Sequence, residues 1–206
     1  MDTYWMFRRA FLIFYTIFLR LKVYGAENVP AQGGLIVAAN HLSFLDPPLV
    51  GASLKRRATY LAKRGLFSHP LLGKFVSTFS LPVDRDAPKP STIKEAVRRL
   101  RSGELIVMFP EGTRQAGKNE PDAKRGVALM ASLSDVPVVP VLIEGTDKAL
   151  PRGSKLVRPA RVAVTFGLPL VRGGSEGQQE YQQRIASTIM EEIKKLKNLK
   201  GFPSAD

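Results

Sequence analysis

The sequence predicts a single α/β domain in which helices flank a mixed, mostly parallel sheet, preceded by an apolar N-terminal helix suited to a membrane surface. Three observations lead there. Leu35-Ile36-Val37-Ala38-Ala39 and Leu105-Ile106-Val107-Met108-Phe109 are short runs without a polar residue, as strands buried on both faces require. Segments with helical signals stand between and after them, around residues 92–103, 127–133 and 178–197. A length of 206 residues gives room for one domain with a full core. The chain divides into residues 1–24, the apolar helix; 25–200, the α/β domain; and 201–206, a tail.

Residues 2–24 form the most hydrophobic stretch. Ten uncharged residues, 10–19, lie between Arg9 and Arg20. As a helix they span roughly 15 Å, about half a hydrocarbon core, and so do not cross a bilayer. Arg8, Arg9, Arg20 and Lys22 flank them, with Tyr4 and Trp5 at the leading end. Flanking cations with interfacial aromatics describe a helix lying in one leaflet. A core helix of the domain is the competing reading. A signal peptide fits less well, because no A-x-A-like site follows and Arg20-Leu21-Lys22 interrupts the approach.

Residues 35–39, bounded by Gly33-Gly34, read as the first buried strand. Asp46 with Pro47 reads as a helix start, an N-cap acceptor followed by a proline that needs no N–H. His41 then stands in the turn between strand and helix. Across that turn a spacing of five brings the Asp46 carboxylate beside the His41 ring. A carboxylate on Nδ1 fixes the tautomer and leaves Nε2 as a general base. Taken alone, the pair also reads as an ordinary N-cap beside a polar-turn histidine.

Thr59-Tyr60-Leu61-Ala62 is the next strand, ending at Lys63-Arg64. Residues 70–76 open with a proline and read as a short helix, with His69 in the loop before it. Leu81-Pro82-Val83-Asp84-Arg85 is a strand end closing on a basic residue. Thr92-Ile93-Lys94-Glu95 has the form of a capping box, from which a helix runs to Gly103. The central strand 105–109 leads into Pro110-Glu111-Gly112-Thr113-Arg114. Lys124-Arg125-Gly126 precedes a helix over 127–133. Residues 136–143 are strand-like, but Pro137 and Pro140 predict irregular or edge pairing. Residues 161–166 alternate as a later strand, and 178–197 form a helix with Ile185, Ile189, Ile193 and Leu196 on one stripe.

Composition narrows the chemistry. There is no cysteine, which removes disulfides, thiolate metal sites and an acyl-cysteine intermediate. Two histidines, His41 and His69, are too few for a multi-histidine zinc site, and we expect neither metal nor cofactor. The net charge of +13 is uneven: residues 1–103 carry 16 Lys/Arg against 6 Asp/Glu, and residues 104–206 carry 15 against 12. Such a balance suits nucleic acid, an anionic membrane or an anionic small substrate. No nucleic-acid module is present and the aromatics are not interleaved with the basic clusters, so no nucleic-acid partner is expected.

Four blocks stand in a telling order: Asn40-His41-x-Ser43-x-x-Asp46, of HxxxxD form; Leu81-Pro82-Val83-Asp84-Arg85; Phe109-Pro110-Glu111-Gly112-Thr113-Arg114, or FPEGTR; and Val136-Pro137-Val138-Val139-Pro140-Val141. Together they resemble the 1-acylglycerol-3-phosphate acyltransferase family, in its bacterial lysophosphatidic acid acyltransferase branch, over about residues 20–170. Two places depart from the family pattern. Phe79-Ser80 stands where the second block usually begins with glycine, and Gly65 where a glutamate or similar residue commonly follows the Lys63 segment. Both bear on acceptor selectivity more than on reaction type.

The resemblance implies transfer of a fatty acyl group from acyl-CoA or acyl carrier protein, as co-substrate, to the sn-2 hydroxyl of 1-acylglycerol-3-phosphate, giving phosphatidic acid. His41 would take the hydroxyl proton and Asp46 would orient His41, with Ser43 as a turn hydroxyl. Backbone N–H groups of the Glu111-Gly112-Thr113 turn would meet the oxyanion. Arg114, Arg85 and Lys63, at strand ends on the sheet's ligand rim, would hold the acceptor phosphate; Lys124 is a further basic candidate. Glu111 has two open roles, accepting from an acceptor hydroxyl or tying down Arg114. The implied setting is the cytoplasmic face of the cytoplasmic membrane, peripheral or monotopic, on an anionic surface bearing the lysophospholipid. Alternatives are the same chemistry on glycerol-3-phosphate or a lyso-aminolipid, a silent lipid-binding member, and a thioesterase that releases free fatty acid.

Overall fold

β2 (Leu35–Ala39) lies at the middle of the sheet, and every one of its residues is buried. Its side chains alternate between two cores. Leu35, Val37 and Ala39 face one, with Leu49, Val50, Val139 and Ile143; Ile36 and Ala38 face the other, with Leu100, Ile106, Val127, Ile185 and Ile189. A strand with apolar side chains on both faces needs a helical layer on each. The architecture, that of a computed structural model describing residues 2–63, 65, 79–83, 90–111 and 121–198, supplies both layers.

In chain order come α1 (Thr3–Phe18), β1 (Lys22–Tyr24), β2, α2 (Asp46–Ser53), β3 (Ala58–Lys63), β4 (Ser80–Val83), α3 (Pro90–Arg101), β5 (Leu105–Met108), α4 (Pro121–Ser134), β6 (Val138–Glu144), α5 (Thr146–Ala149), β7 (Ala163–Phe166) and α6 (Gln178–Lys195). The seven strands lie in the order β1-β7-β6-β2-β5-β3-β4. β2 pairs in parallel with β5 and β6, and β3 pairs in parallel with β5 and β4. The pair β6/β7 is antiparallel, and β1 pairs in parallel with β7. Five strands therefore end on one edge, and β1 and β7 run the other way. This is the mixed, mostly parallel sheet flanked by helices that the sequence predicts.

α1 lies against α2. Its inner face carries Tyr4 and Tyr15, both buried. Eleven residues make about three turns, so the two rings share a face. The Tyr15 hydroxyl donates to the Leu45 carbonyl at 2.8 Å, just before α2. At the other end of α2, Arg8 Nε donates to the Leu54 carbonyl at 2.6 Å, and the Tyr4 hydroxyl accepts from the Ala58 N–H at 2.9 Å. The outer face of α1 is apolar and exposed: Ile13 is 53% and Ile17 76% accessible. α1 is thus docked on the domain by one face and open on the other. Among the described residues no helix is long and apolar enough to cross a membrane.

Several elements differ from the sequence reading. The stretch around Pro137 and Pro140 is not an edge: β6 lies between β2 and β7. Pro137 precedes the strand, and its carbonyl accepts the Ile36 N–H at 3.1 Å. Pro140 lies just beyond the last β6/β7 pair, Val141↔Phe166, and its carbonyl still accepts the Gly167 N–H at 2.8 Å. The missing proline N–H falls at a break in the antiparallel pairing, which resumes at the Val138↔Leu170 bridge. β1, inside the predicted 1–24 segment, joins the sheet. Glu95 forms no capping box. α3 begins earlier, at Pro90, and the Glu95 carboxylate is taken by Arg98 at 2.7 Å and Arg99 at 2.8 Å. The predicted helix over 70–76 lies outside the described residues.

Candidate active site

The turn after β2 gathers the site. Position 40 is the first beyond the strand, and Asn40 continues the strand's pairing with its side chain. Its Nδ2 donates to the Ile143 carbonyl and its Oδ1 accepts the Ile143 N–H. The chain is thereby held to β6 one residue further than its own backbone ladder reaches.

His41 follows, buried, with its Nδ1 2.8 Å from Asp46 Oδ2. The same Oδ2 accepts the N–H of Leu42 at 2.6 Å and of Ser43 at 2.7 Å. Asp46 is not the N-cap of α2; it is its first residue, and Leu45 stands at the cap position with no side-chain bond. The carboxylate turns back onto the preceding loop instead of forward onto the helix, because the prolines at 47 and 48 have no N–H to offer it. Ser43 ties the loop outward, its hydroxyl donating to the Leu150 carbonyl at 3.2 Å.

Two residues at the end of β5 complete the surround. The Phe109 ring stacks on the His41 imidazole, centroids 4.3 Å apart and planes at 27°. The Glu111 carboxylate accepts the backbone N–H of His41 at 3.3 Å. To the two roles open to Glu111 the geometry adds a third: the carboxylate braces the turn that carries the histidine.

This arrangement has a definite chemical capacity. A carboxylate only accepts, so the hydrogen between Asp46 and His41 sits on Nδ1, and the lone pair is left on Nε2. A proton arriving at Nε2 makes an imidazolium beside a buried carboxylate, which stabilises it. Among the described residues no group of three or more His, Cys, Asp or Glu side chains could hold a metal ion.

Of the remaining predicted residues, Lys63 ends β3 on the same edge as His41. The pairs Tyr60↔Val107 and Ala38↔Met108, extended, put position 63 level with 110 and 40. With β5 between them, β3 and β2 are about 10 Å apart. Arg85, Gly112, Thr113 and Arg114 lie outside the described residues, as does His69. Lys124 falls within α4.

A model of the acyltransferase family matches residues 20–144. The chain belongs to the acyltransferase family. Within it, a 1-acyl-sn-glycerol-3-phosphate acyltransferase of Bacillus subtilis is 31% identical over 182 residues, 86% of this chain and 88% of that protein. A protein of the same name from Streptococcus pneumoniae is 27% identical over 191 residues, 90% of this chain and 69% of that one. A chloroplastic relative from Arabidopsis thaliana is 31% identical, but the chain spans only 44% of its length. The crystal structure of the 1-acyl-sn-glycerophosphate acyltransferase PlsC from Thermotoga maritima matches with a TM-score of 0.77 at 25% identity, over 98% of this chain and 81% of that chain.

Two features of this acyltransferase site lay beyond the motif reading. The Asn40 grip on Ile143 joins residues 103 apart, and the only sequence signal is an amide at the end of an apolar strand. The Tyr15 bond to Leu45 is marked only by a hydroxyl within an apolar run.

Proposed function

We propose that this acyltransferase moves a fatty acyl group from acyl-CoA or acyl carrier protein to the sn-2 hydroxyl of 1-acylglycerol-3-phosphate, with His41 and Asp46 as its general-base dyad. The observation that carries the reading is the 2.8 Å contact between His41 Nδ1 and Asp46 Oδ2 at the carboxyl edge of the parallel strands. Ligands of open α/β sheets gather at that edge.

An alcohol attacks a thioester slowly until a base takes its proton. As the acceptor oxygen bonds to the thioester carbonyl carbon, its proton passes to His41 Nε2. The tetrahedral intermediate then expels the thiolate by breaking the C–S bond, and the thiolate takes that proton from Nε2. General-base help of this kind contributes about 10²–10⁴-fold. Backbone N–H groups of Gly112 and Thr113 are proposed for the oxyanion; the Glu111 side chain, an acceptor engaged with His41, is assigned to bracing. Arg114, Arg85 and Lys63 are proposed for the acceptor phosphate.

The reaction is proposed to run on the cytoplasmic face of the cytoplasmic membrane, on an anionic surface. Support comes from the direction of β1, which runs opposite to β2 and therefore brings the C-terminal half of α1 to the His41 edge. Exposed Ile13, Phe14, Ile17 and Phe18 then share that edge with exposed Leu42 and Phe44. Apolar side chains beside the reacting edge suit a substrate whose chain stays in lipid.

The test is transfer from labelled acyl-CoA or acyl carrier protein in anionic micelles, offering lysophosphatidic acid, glycerol-3-phosphate or no acceptor, with wild type and His41→Ala. Label in phosphatidic acid, lost in the variant, is expected. Label in another product, or turnover that survives His41→Ala, overturns the acceptor or the dyad respectively.

A further inference from the structure

The dyad's geometry has an unequal anchor. All three donors converge on Asp46 Oδ2, while its buried Oδ1 has no hydrogen-bond partner among the described residues. With Oδ2 held by three donors and Oδ1 unpaired, the placement of the carboxylate follows the Cα–Cβ bond on which it hangs. What fixes its angle is the backbone from which it springs.

That backbone is held from within and from outside. The Asp46 N–H donates to the Ser43 carbonyl at 3.2 Å, the Leu49 N–H donates to the Leu45 carbonyl at 3.1 Å, and a third bond comes from α1. The Leu45 carbonyl and the Asp46 N–H belong to one planar peptide unit, so orienting the carbonyl orients the start of the Asp46 residue. Tyr15, wholly buried, donates to this carbonyl at 2.8 Å from a helix otherwise remote in sequence. Burial, with the Asp46 charge adding to it, holds the Tyr15 phenol far above its ordinary range. It therefore stays a neutral donor throughout the working pH range. The other end of α2 is gripped by Arg8 of the same helix at the Leu54 carbonyl, and Tyr4 holds the Ala58 N–H at the start of β3 beyond it.

We propose that Tyr15 is a positioning residue for acyl transfer, setting the Asp46 carboxylate against His41 through the Leu45 carbonyl. The inference rests on the His41/Asp46 reading. It assigns α1 a role in turnover separate from any contact with lipid: its inner face aligns the dyad, whatever its outer face meets. Tyr4, on the same face, serves the start of β3 through the Ala58 N–H instead.

The experiment compares Tyr15→Phe, Tyr4→Phe and His41→Ala in acyl-transfer kinetics and thermal unfolding. Each tyrosine variant keeps its ring and loses one hydroxyl. Tyr15→Phe is expected to lower kcat about fivefold to tenfold, the worth of one neutral hydrogen bond, with KM for both substrates unchanged. Tyr4→Phe is expected to keep wild-type kcat and to show the larger fall in Tm, since it leaves the buried Ala58 N–H unpaired. Because the chain has two histidines, the hydrogen-bonded ring proton of His41 is also readable by NMR, and it should shift in Tyr15→Phe alone. Wild-type kcat in Tyr15→Phe, or an equal loss in both tyrosine variants, overturns the inference. If His41→Ala is inactive while Tyr15→Phe is unimpaired, only the Tyr15 assignment falls. If His41→Ala turns over normally, the dyad reading falls with it.

Discussion

The Asn40 side chain holds both backbone polar groups of Ile143, donating from Nδ2 at 2.9 Å and accepting at Oδ1 at 2.6 Å. The neighbouring residue, His41, thus starts from a point tied to β6 as well as to β2. Asn40→Ala leaves a buried N–H and a buried carbonyl unpaired, which costs roughly 2–4 kcal/mol. Chemical denaturation should show that loss, and turnover should fall further than stability alone explains. Asn40→Asp keeps the acceptor but sets a buried carboxylate oxygen against the Ile143 carbonyl, so it should do no better than Asn40→Ala.

Glu111 grips the backbone of the same turn from β5. Glu111→Ala should slow turnover about tenfold, since an acceptor bond from a charged group is worth about 1.5–3 kcal/mol and this one is long. Glu111→Gln retains an acceptor and should recover most of the rate. Equal rates in the two variants would show that the charge, not the bond to His41, is what matters.

Gly51 lies where α2 meets β3. A Cβ there would run into the hydroxyl of Tyr60. Gly51→Ala should therefore destabilise the protein by about 1–3 kcal/mol, as overpacking does. Because α2 begins at Asp46, the same substitution should lower kcat. Pairing it with Tyr60→Phe, which removes the obstructing oxygen, should restore part of both.

The outer face of α1 can be altered without touching its inner face. Ile13→Ser with Ile17→Ser should weaken sedimentation with anionic vesicles while leaving Tm unchanged, both side chains being more than half exposed. Undiminished binding would locate the lipid contact elsewhere.

Glu176 ties the loop before α6 to that helix. Its hydrogen bond from Arg184 Nε, 2.7 Å long, holds the carboxyl at about 2, below the usual 4.5. A depressed folded-state value contributes stability above pH 4.5 that is lost as pH falls toward about 2. Glu176→Gln should flatten that part of the Tm-against-pH curve and leave the neutral region nearly level.

What the sequence made legible was whatever depends on neighbours along the chain. His41 and Asp46 were readable because a turn of five residues separates them, and β2 and β5 because their runs are wholly apolar. Of the irregular or edge pairing that Pro137 and Pro140 predict, β6 shows the irregularity, a break between Val141↔Phe166 and Val138↔Leu170. The break stands in the interior of the sheet, a position that depends on strands distant in sequence. The capping-box pattern at Thr92 misled because Arg98 and Arg99, three and four residues past Glu95, compete for the same carboxylate. β1 has three residues, too few to show a period. The Asn40–Ile143 and Tyr15–Leu45 bonds close loops of 103 and 30 residues, and no local pattern encodes such partners.

The reversal of β1 and β7 also sets a timetable. β1 has β7 as its strand partner, beginning at Lys22↔Ala163, so that partner is synthesised some 140 residues later. At about 5–20 residues per second, the interval is roughly 7–30 s on the ribosome. Throughout it, the strand that follows α1 has no ladder to join. The first strand made is thus among the last to pair, and one edge of the sheet stays open until nearly the whole domain has been synthesised.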